Sequence, residues 1–322
     1  MEIDTLEGVQ LGGVTQWIRV RGADASNPVL LLMQQGPGLP IINDARRLEH
    51  LLGLEEAFTV VYWDQRGTGL SSPSLRRNSH PFEISVTRMV DDTVTLLELL
   101  RDRFGGKTFV AGFSFGATFA AYAAVQRPEL VVALVTAGMD IDIPAAEDNA
   151  YAFAVDAARQ RGNRRAIRQL EAIGPPPHTT VKQFTTRARW VANFGGVAAN
   201  ANFSSLLREF VLSLVRSPDY SAADVIRTFR GISASQAALL PQLATTDLVR
   251  TMPRLDVPLV MAQGRLDRVA PGEAAQRFHD SLTAPSKQLV WFESSAHSPH
   301  LEEPAKFRDL LMNVRASQLT ST

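Results

Sequence analysis

Gly112-Phe113-Ser114-Phe115-Gly116 stands between an apolar run, Lys-Thr-Phe-Val-Ala at 107–111, and a small-residue run, Ala-Thr-Phe-Ala-Ala-Tyr-Ala-Ala-Val at 117–125. The first has the length and apolarity of a buried strand, and the second reads as a helix closed by Arg127-Pro128. Strand, Gly-x-Ser-x-Gly, helix describes a turn so sharp that the serine takes a strained backbone angle and lifts its Oγ off the sheet. Residues two before and two after the serine pass too close to other backbone for side chains, hence Gly112 and Gly116. The bare pentapeptide is equally an ordinary Gly/Ser turn, so the rest of the chain must decide.

Three further segments decide it. Asp267 lies just past the apolar run 257–262, in a loop at a strand's carboxyl end, where open α/β sheets gather functional groups. As a mere helix cap before Pro271 it would be unremarkable. His297 follows a second such run, 287–292, and completes the chain order Ser, Asp, His that accompanies this kind of elbow. His300 competes for the base, but it sits at the entry to a helical stretch, and the short loop at 297 suits the role better. The run 30–33 breaks into Gln34-Gln-Gly-Pro-Gly38, whose amides can face the elbow. Acyl transfer needs two N–H donors where a carbonyl oxygen turns negative. Phe115 supplies one and Gly36 the other, with Gln35 as the alternative. Asp140, ending a further strand at 131–137, is a reserve for the acid. Arg66 is read as structural.

These residues resemble the α/β-hydrolase superfamily, and more narrowly the proline iminopeptidase branch of serine hydrolases. The narrower resemblance rests on Gln34-Gln-Gly-Pro-Gly38, where the branch usually has His-Gly-Gly-Pro-Gly, and on Asp64-Gln-Arg-Gly-Thr-Gly-Leu-Ser71. It runs from about residue 6 to 140 and from 247 to the end. It implies a mainly parallel eight-stranded sheet with helices on both faces and an inserted helical cap. It also implies a Ser114–His297–Asp267 triad that requires neither metal nor organic cofactor.

Composition agrees. The 322 residues suit one α/β core with an inserted subdomain, and 45% apolar content promises a large interior. Lys plus Arg equals Asp plus Glu, 33 of each, which leaves no electrostatic footprint for nucleic acid or an anionic membrane. The chain has no cysteine, so thiolate catalysis and disulfides are excluded. It opens without a signal-peptide pattern and carries no 18-residue apolar run; a soluble cytoplasmic protein acting on a small molecule is expected.

Strand-like runs alternate with helices except between about 144 and 246. The expected division is therefore a core at 1–143 and 247–322 with a helical cap at 144–246. The cap reads as helices at 145–161, 164–173, 181–193, 203–216 and 221–229, and an edge hairpin at 8–11 and 16–21 turns at Gly12-Gly13. Gln35, Phe113, Trp190 and Phe194 are candidate pocket residues. In the resembled branch a cap carboxylate meets the substrate's free amine. Here Trp190-Val-Ala-Asn-Phe194-Gly195 is the nearest match, with Phe194 in the acidic position. An amine facing Phe194 would lack a counter-charge unless Glu209 or Asp224 supplied one. Neutral esters, lactones or amides are thus expected over aminopeptidase substrates, with a non-hydrolytic enzyme or binding module as a further alternative.

Overall fold

The computed structural model describes residues 1–73 and 83–319. The hairpin β1 (Ile3–Leu11) and β2 (Val14–Gly22) is longer than expected and turns on Gly12 and Gly13, at φ 53° and 80°. A two-residue turn that follows the strands' twist needs positive φ at both positions. β3 (Val29–Met33), helix α1 (Ala45–Leu52), β4 (Thr59–Asp64), α2 (Val86–Phe104), β5 (Thr108–Phe113), α3 (Phe115–Gln126) and β6 (Val131–Ala137) follow. After a helical excursion come α9 (Leu248–Thr251), β7 (Leu259–Gly264), α10 (Gly272–Ser281), β8 (Lys287–Phe292), α11 (Pro299–Glu302) and α12 (Pro304–Leu319).

The eight strands form one sheet in the order β1-β2-β4-β3-β5-β6-β7-β8. β1 and β2 run antiparallel to their neighbours and the pairs from β4 to β8 are parallel. Every residue of β3, β4 and β5 is buried, as parallel strands covered on both faces must be. Side chains alternate between two apolar layers. Leu31, Met33, Val61, Trp63 and Val110 join the layer containing residues of α2, α3 and α10. Leu30, Leu32, Val60, Tyr62, Phe109 and Phe113 join the layer containing residues of α1 and α12.

The excursion comprises α4 (Ile143–Gln160), α5 (Arg164–Ile173), α6 (Val181–Asn193), α7 (Phe203–Arg216) and α8 (Ala222–Leu243). The chain leaves and re-enters the core side by side: Asp142 bridges Asp247, and the Ile143 and Leu248 amides donate to Thr246 and Ile141 carbonyls. α8 runs fourteen residues past its expected end at 229, to 243. Gly231 is not a breaker there; a Cβ on it would strike the Gly67 carbonyl and come 2.6 Å from Ser72 Oγ. Gly38 likewise leaves no room for a side chain, a Cβ falling 2.8 Å from Ile232 Cα. α8 is thereby seated directly on the loop after β3.

Arg66 has the structural role expected of it. Its guanidinium pairs with buried Asp92 of α2 at 2.7 and 2.9 Å and donates to the Leu11 and Gly12 carbonyls. Among the described residues, no helix is long and apolar enough to cross a membrane.

Candidate active site

Ser114 stands between β5 and α3 at φ 51°, ψ −126°, the one non-glycine with positive φ among the described residues. Such a conformation costs of order 1–3 kcal/mol and persists because its surroundings over-determine it. A Cβ at Gly112 would lie 2.5 Å from Ala117 Cα. One at Gly116 would lie 2.7 Å from the Met33 carbonyl oxygen and nearer still to that of Gln34. The elbow's first helical turn therefore rests against the backbone at the end of β3. That packing brings Phe115, whose N–H belongs to the unsatisfied first turn of α3, beside the Gln34–Gly38 loop.

His297 enters from the loop after β8. Its Nε2 is 3.0 Å from Ser114 Oγ and its Nδ1 is 2.9 Å from Asp267 Oδ2. Asp267 is held from behind: its Oδ1 accepts the Val269 and Ala270 amides at 2.8 and 2.9 Å, and Gln263 Nε2 approaches Oδ2 at 3.5 Å. Burial alone would lower the His297 pKa. The charge and hydrogen bond of Asp267, followed by the charges of Asp140 and Glu302, outweigh it and lift the imidazole to about 9. Gly264 and Gly138 admit the histidine loop; a Cβ on Gly138 would lie 3.0 Å from His297 Nδ1.

His300 is placed elsewhere. Its ring stacks on Phe113 at 4.0 Å, and burial first, then the charges of His297 and Arg47, hold its pKa down at about 3. Phe113 is correspondingly a core residue, also 6.1 Å from Phe307, because the strand's alternation turns it toward α12. Trp190 and Phe194 stack on each other at 5.6 Å inside the helical segment, among Ala150, Ala154, Ala158 and Leu170. Their i, i+4 spacing buries them within that segment's own interior. Gln35 donates to Ser298 Oγ at 2.9 Å, next to His297, and the Gln34 amide donates to Gln65. Glu209 pairs with Arg47 at 3.3 Å, on an open groove of about 460 Å³ that shares no residue with the Ser114 site. Asp224 closes the N-terminal capping box of α8 and pairs with Arg227.

Two features of the site were weakly signalled in the sequence. One is a strap from the helical segment: the Val197 carbonyl accepts from the His297 amide and the Gly196 carbonyl from the Arg268 amide, both at 3.0 Å. The Ala199 amide donates to Glu302 at 2.7 Å. Nothing in its Gly-Gly-Val-Ala-Ala composition announces such a role. The other is Asp140, expected as a spare partner for the histidine, whose carboxyl instead accepts the Ser114 hydroxyl at 2.8 Å. Burial raises Asp140 to about 6, against the lowering effects of the His297 charge and the Ser114 hydrogen bond. Its position just past the end of β6 was the available clue.

Residues 54–304 match the family model described as serine aminopeptidase, S33. A probable aminopeptidase of Bacillus subtilis (strain 168), YbaC, is 28% identical over 310 residues, covering 96% of this chain and 95% of that protein. A pimeloyl-[acyl-carrier protein] methyl ester esterase of Vibrio vulnificus (strain CMCP6) is 28% identical over 204 residues, 63% of this chain and 68% of the esterase. Among solved structures, a proline iminopeptidase of Mycobacterium smegmatis superposes with a TM-score of 0.67 at 18% identity, covering 99% of this chain and 100% of that one. That likeness is one of fold.

Proposed function

The chain belongs to the serine aminopeptidase family, S33, in its proline iminopeptidase-like branch, and from that premise we propose that it cleaves a small ester, lactone or amide through an acyl-Ser114 intermediate. The observation that carries the reading is the relay from Ser114 Oγ to His297 Nε2 at 3.0 Å and from His297 Nδ1 to Asp267 at 2.9 Å. His297 takes the hydroxyl proton as Oγ attacks the carbonyl carbon, and Asp267 orients the ring and stabilises the imidazolium. The N–H groups of Phe115 and Gly36 receive the oxyanion. His297 returns the proton to the leaving group, then activates the water that frees Ser114. Residues 144–246 act as a cap that limits water and shapes the acyl site, and 1–143 with 247–322 as the core.

Two acyl classes compete. Phe194 lies inside the helical segment, stacked on Trp190, so it does not set the charge that an incoming acyl group meets. A carboxyl at Ser114 favours acyl groups bearing a free amine next to the scissile carbonyl. Neutral acyl esters are the second reading, supported by the likeness to an enzyme named as a methyl ester esterase.

Intact-mass analysis after exposure to a fluorophosphonate tests the acyl-serine step. A single adduct, absent from Ser114→Ala, is expected. A folded parent chain that takes no adduct, or an adduct that survives in the variant, refutes it.

A further inference from the structure

Two acceptors flank one hydroxyl. Ser114 Oγ is 2.8 Å from Asp140 Oδ2 and 3.0 Å from His297 Nε2, and a serine has a single proton to donate. Oγ can donate to Asp140 Oδ2 in one rotamer or to the neutral His297 Nε2 in another, but not to both at once. The two carboxylates of the site are built differently. Asp267 is gripped by two backbone amides, whereas among the described residues Ser114 is the only hydrogen-bond donor to the Asp140 carboxyl. The main chain of Asp140 is nevertheless fixed, its carbonyl accepting from Thr118 Oγ1 of α3 at 2.7 Å. A rigidly mounted, buried carboxyl with an exchangeable partner stands beside the nucleophile.

We propose that Asp140 is a substrate-operated latch, holding the Ser114 hydroxyl until an ammonium on the carbon next to the scissile carbonyl displaces it. The proposal rests on the acyl-Ser114 reading. Covalent geometry supplies the reach: in the acyl adduct, Oγ, the carbonyl carbon, the α-carbon and the amine nitrogen are joined by three bonds. The nitrogen therefore lies roughly 3–4 Å from Oγ, within hydrogen-bonding range of a carboxyl that touches Oγ. Once the ammonium donates to Asp140, the serine O–H turns to His297 Nε2. Oγ then bonds to the carbonyl carbon, the proton moves to Nε2, and the carbonyl π pair moves to oxygen at the Phe115 and Gly36 amides. When the oxyanion collapses, the bond to the leaving group breaks and that group takes the proton from Nε2. The ammonium keeps its own protons throughout. A neutral acyl group offers Asp140 no cation to take the place of the hydroxyl, which stays turned away from its base.

The test compares matched substrates on the full chain: alanyl, prolyl and leucyl 4-nitroanilides against their des-amino acyl counterparts. The aminoacyl member is expected to win by about 100-fold in kcat/KM, the scale on which removing one partner of a desolvated charge pair is felt. In Asp140→Asn, which keeps the shape and removes the charge, the ratio should fall to within about 3-fold. Equal turnover of the two members by the parent chain overturns the proposal, as does a ratio that survives in Asp140→Asn. So does a parent chain labelled at Ser114 by fluorophosphonate that hydrolyses no member of any pair. Should that variant fail to fold, Asp140→Ser is measured in its place, and a ratio that survives there overturns the proposal equally. Failure of the acyl-serine reading looks different, since Ser114 would then take no label.

Discussion

Gly116→Ala separates two effects of opposite sign. In an ordinary helix the change stabilises by about 1 kcal/mol, because alanine loses less backbone entropy than glycine. Here the new Cβ would stand 2.7 Å from the Met33 carbonyl oxygen and closer still to that of Gln34, where real Cβ contacts stay above 3.0 Å. Both obstacles are backbone, at the end of a fully buried strand, so neither can swing aside. The elbow must retreat by at least the 0.3 Å between 2.7 and 3.0 Å, and by more to clear Gln34. Phe115 and Ser114 move with it, away from the loop that carries Gly36. Displacement of this kind at an oxyanion site costs about 100-fold, roughly 2.7 kcal/mol of transition-state stabilisation, which exceeds the helical gain. The assay is the second-order rate constant for fluorophosphonate labelling at Ser114, read beside thermal unfolding. Gly106→Ala is the control, since a Cβ there meets nothing within 4 Å. A Gly116→Ala chain labelled within 3-fold (about 0.7 kcal/mol) of its parent would refute the reasoning.

Two further outcomes are expected. His297 acts as a base when neutral, and Asp267 and Asp140 hold its proton up to about 9, so the labelling rate should climb through neutral pH toward that value. Asp140→Asn removes one of the charges that raise the imidazole and should move the midpoint down; an identical profile in parent and variant counts against this. Arg66→Met takes the counter-charge from fully buried Asp92, leaving it the Gln16 amide at 2.6 Å, and should destabilise the fold by about 3 kcal/mol in urea titrations. Labelling of the variant's folded fraction should stay near the parent rate; a selective loss of labelling without loss of stability would assign Arg66 to the substrate instead.

Local steric rules made most of the core readable from the chain. The elbow demands glycine two residues either side of Ser114, and the loops after β7 and β8 bring Asp267 and His297 to it, so spacing and order were enough to place these three side chains together. Close approaches between distant segments were not readable. Gly231 looks like a helix breaker until the Gly67 backbone is seen beside it. Trp190 and Phe194 show helical spacing but not which way that face looks, and they serve the helical segment's own interior. Helix α1 is not legible in the chain because it is eight residues long and its N-cap Asp44 makes no side-chain capping bond.

The carboxylates make the same point about function. Asp64, Asp140 and Asp267 all lie at or just beyond the carboxyl ends of sheet strands, and a sequence treats them as one kind of residue. What separates them is the number of donors that cannot leave. Asp64 accepts the amides of Ile41, Ile42 and Leu70 and the Tyr220 hydroxyl, which spends it on architecture. Asp267 accepts two amides through one oxygen and offers the other to His297, so it can orient a base but not exchange partners. Asp140 has no backbone donor among the described residues, and its one hydrogen-bond partner there is the Ser114 hydroxyl. An unfixed buried carboxylate is costly to keep. Its place 2.8 Å from Ser114 Oγ is the feature that the Ser114–His297–Asp267 relay leaves unused and that the proposed ammonium would employ.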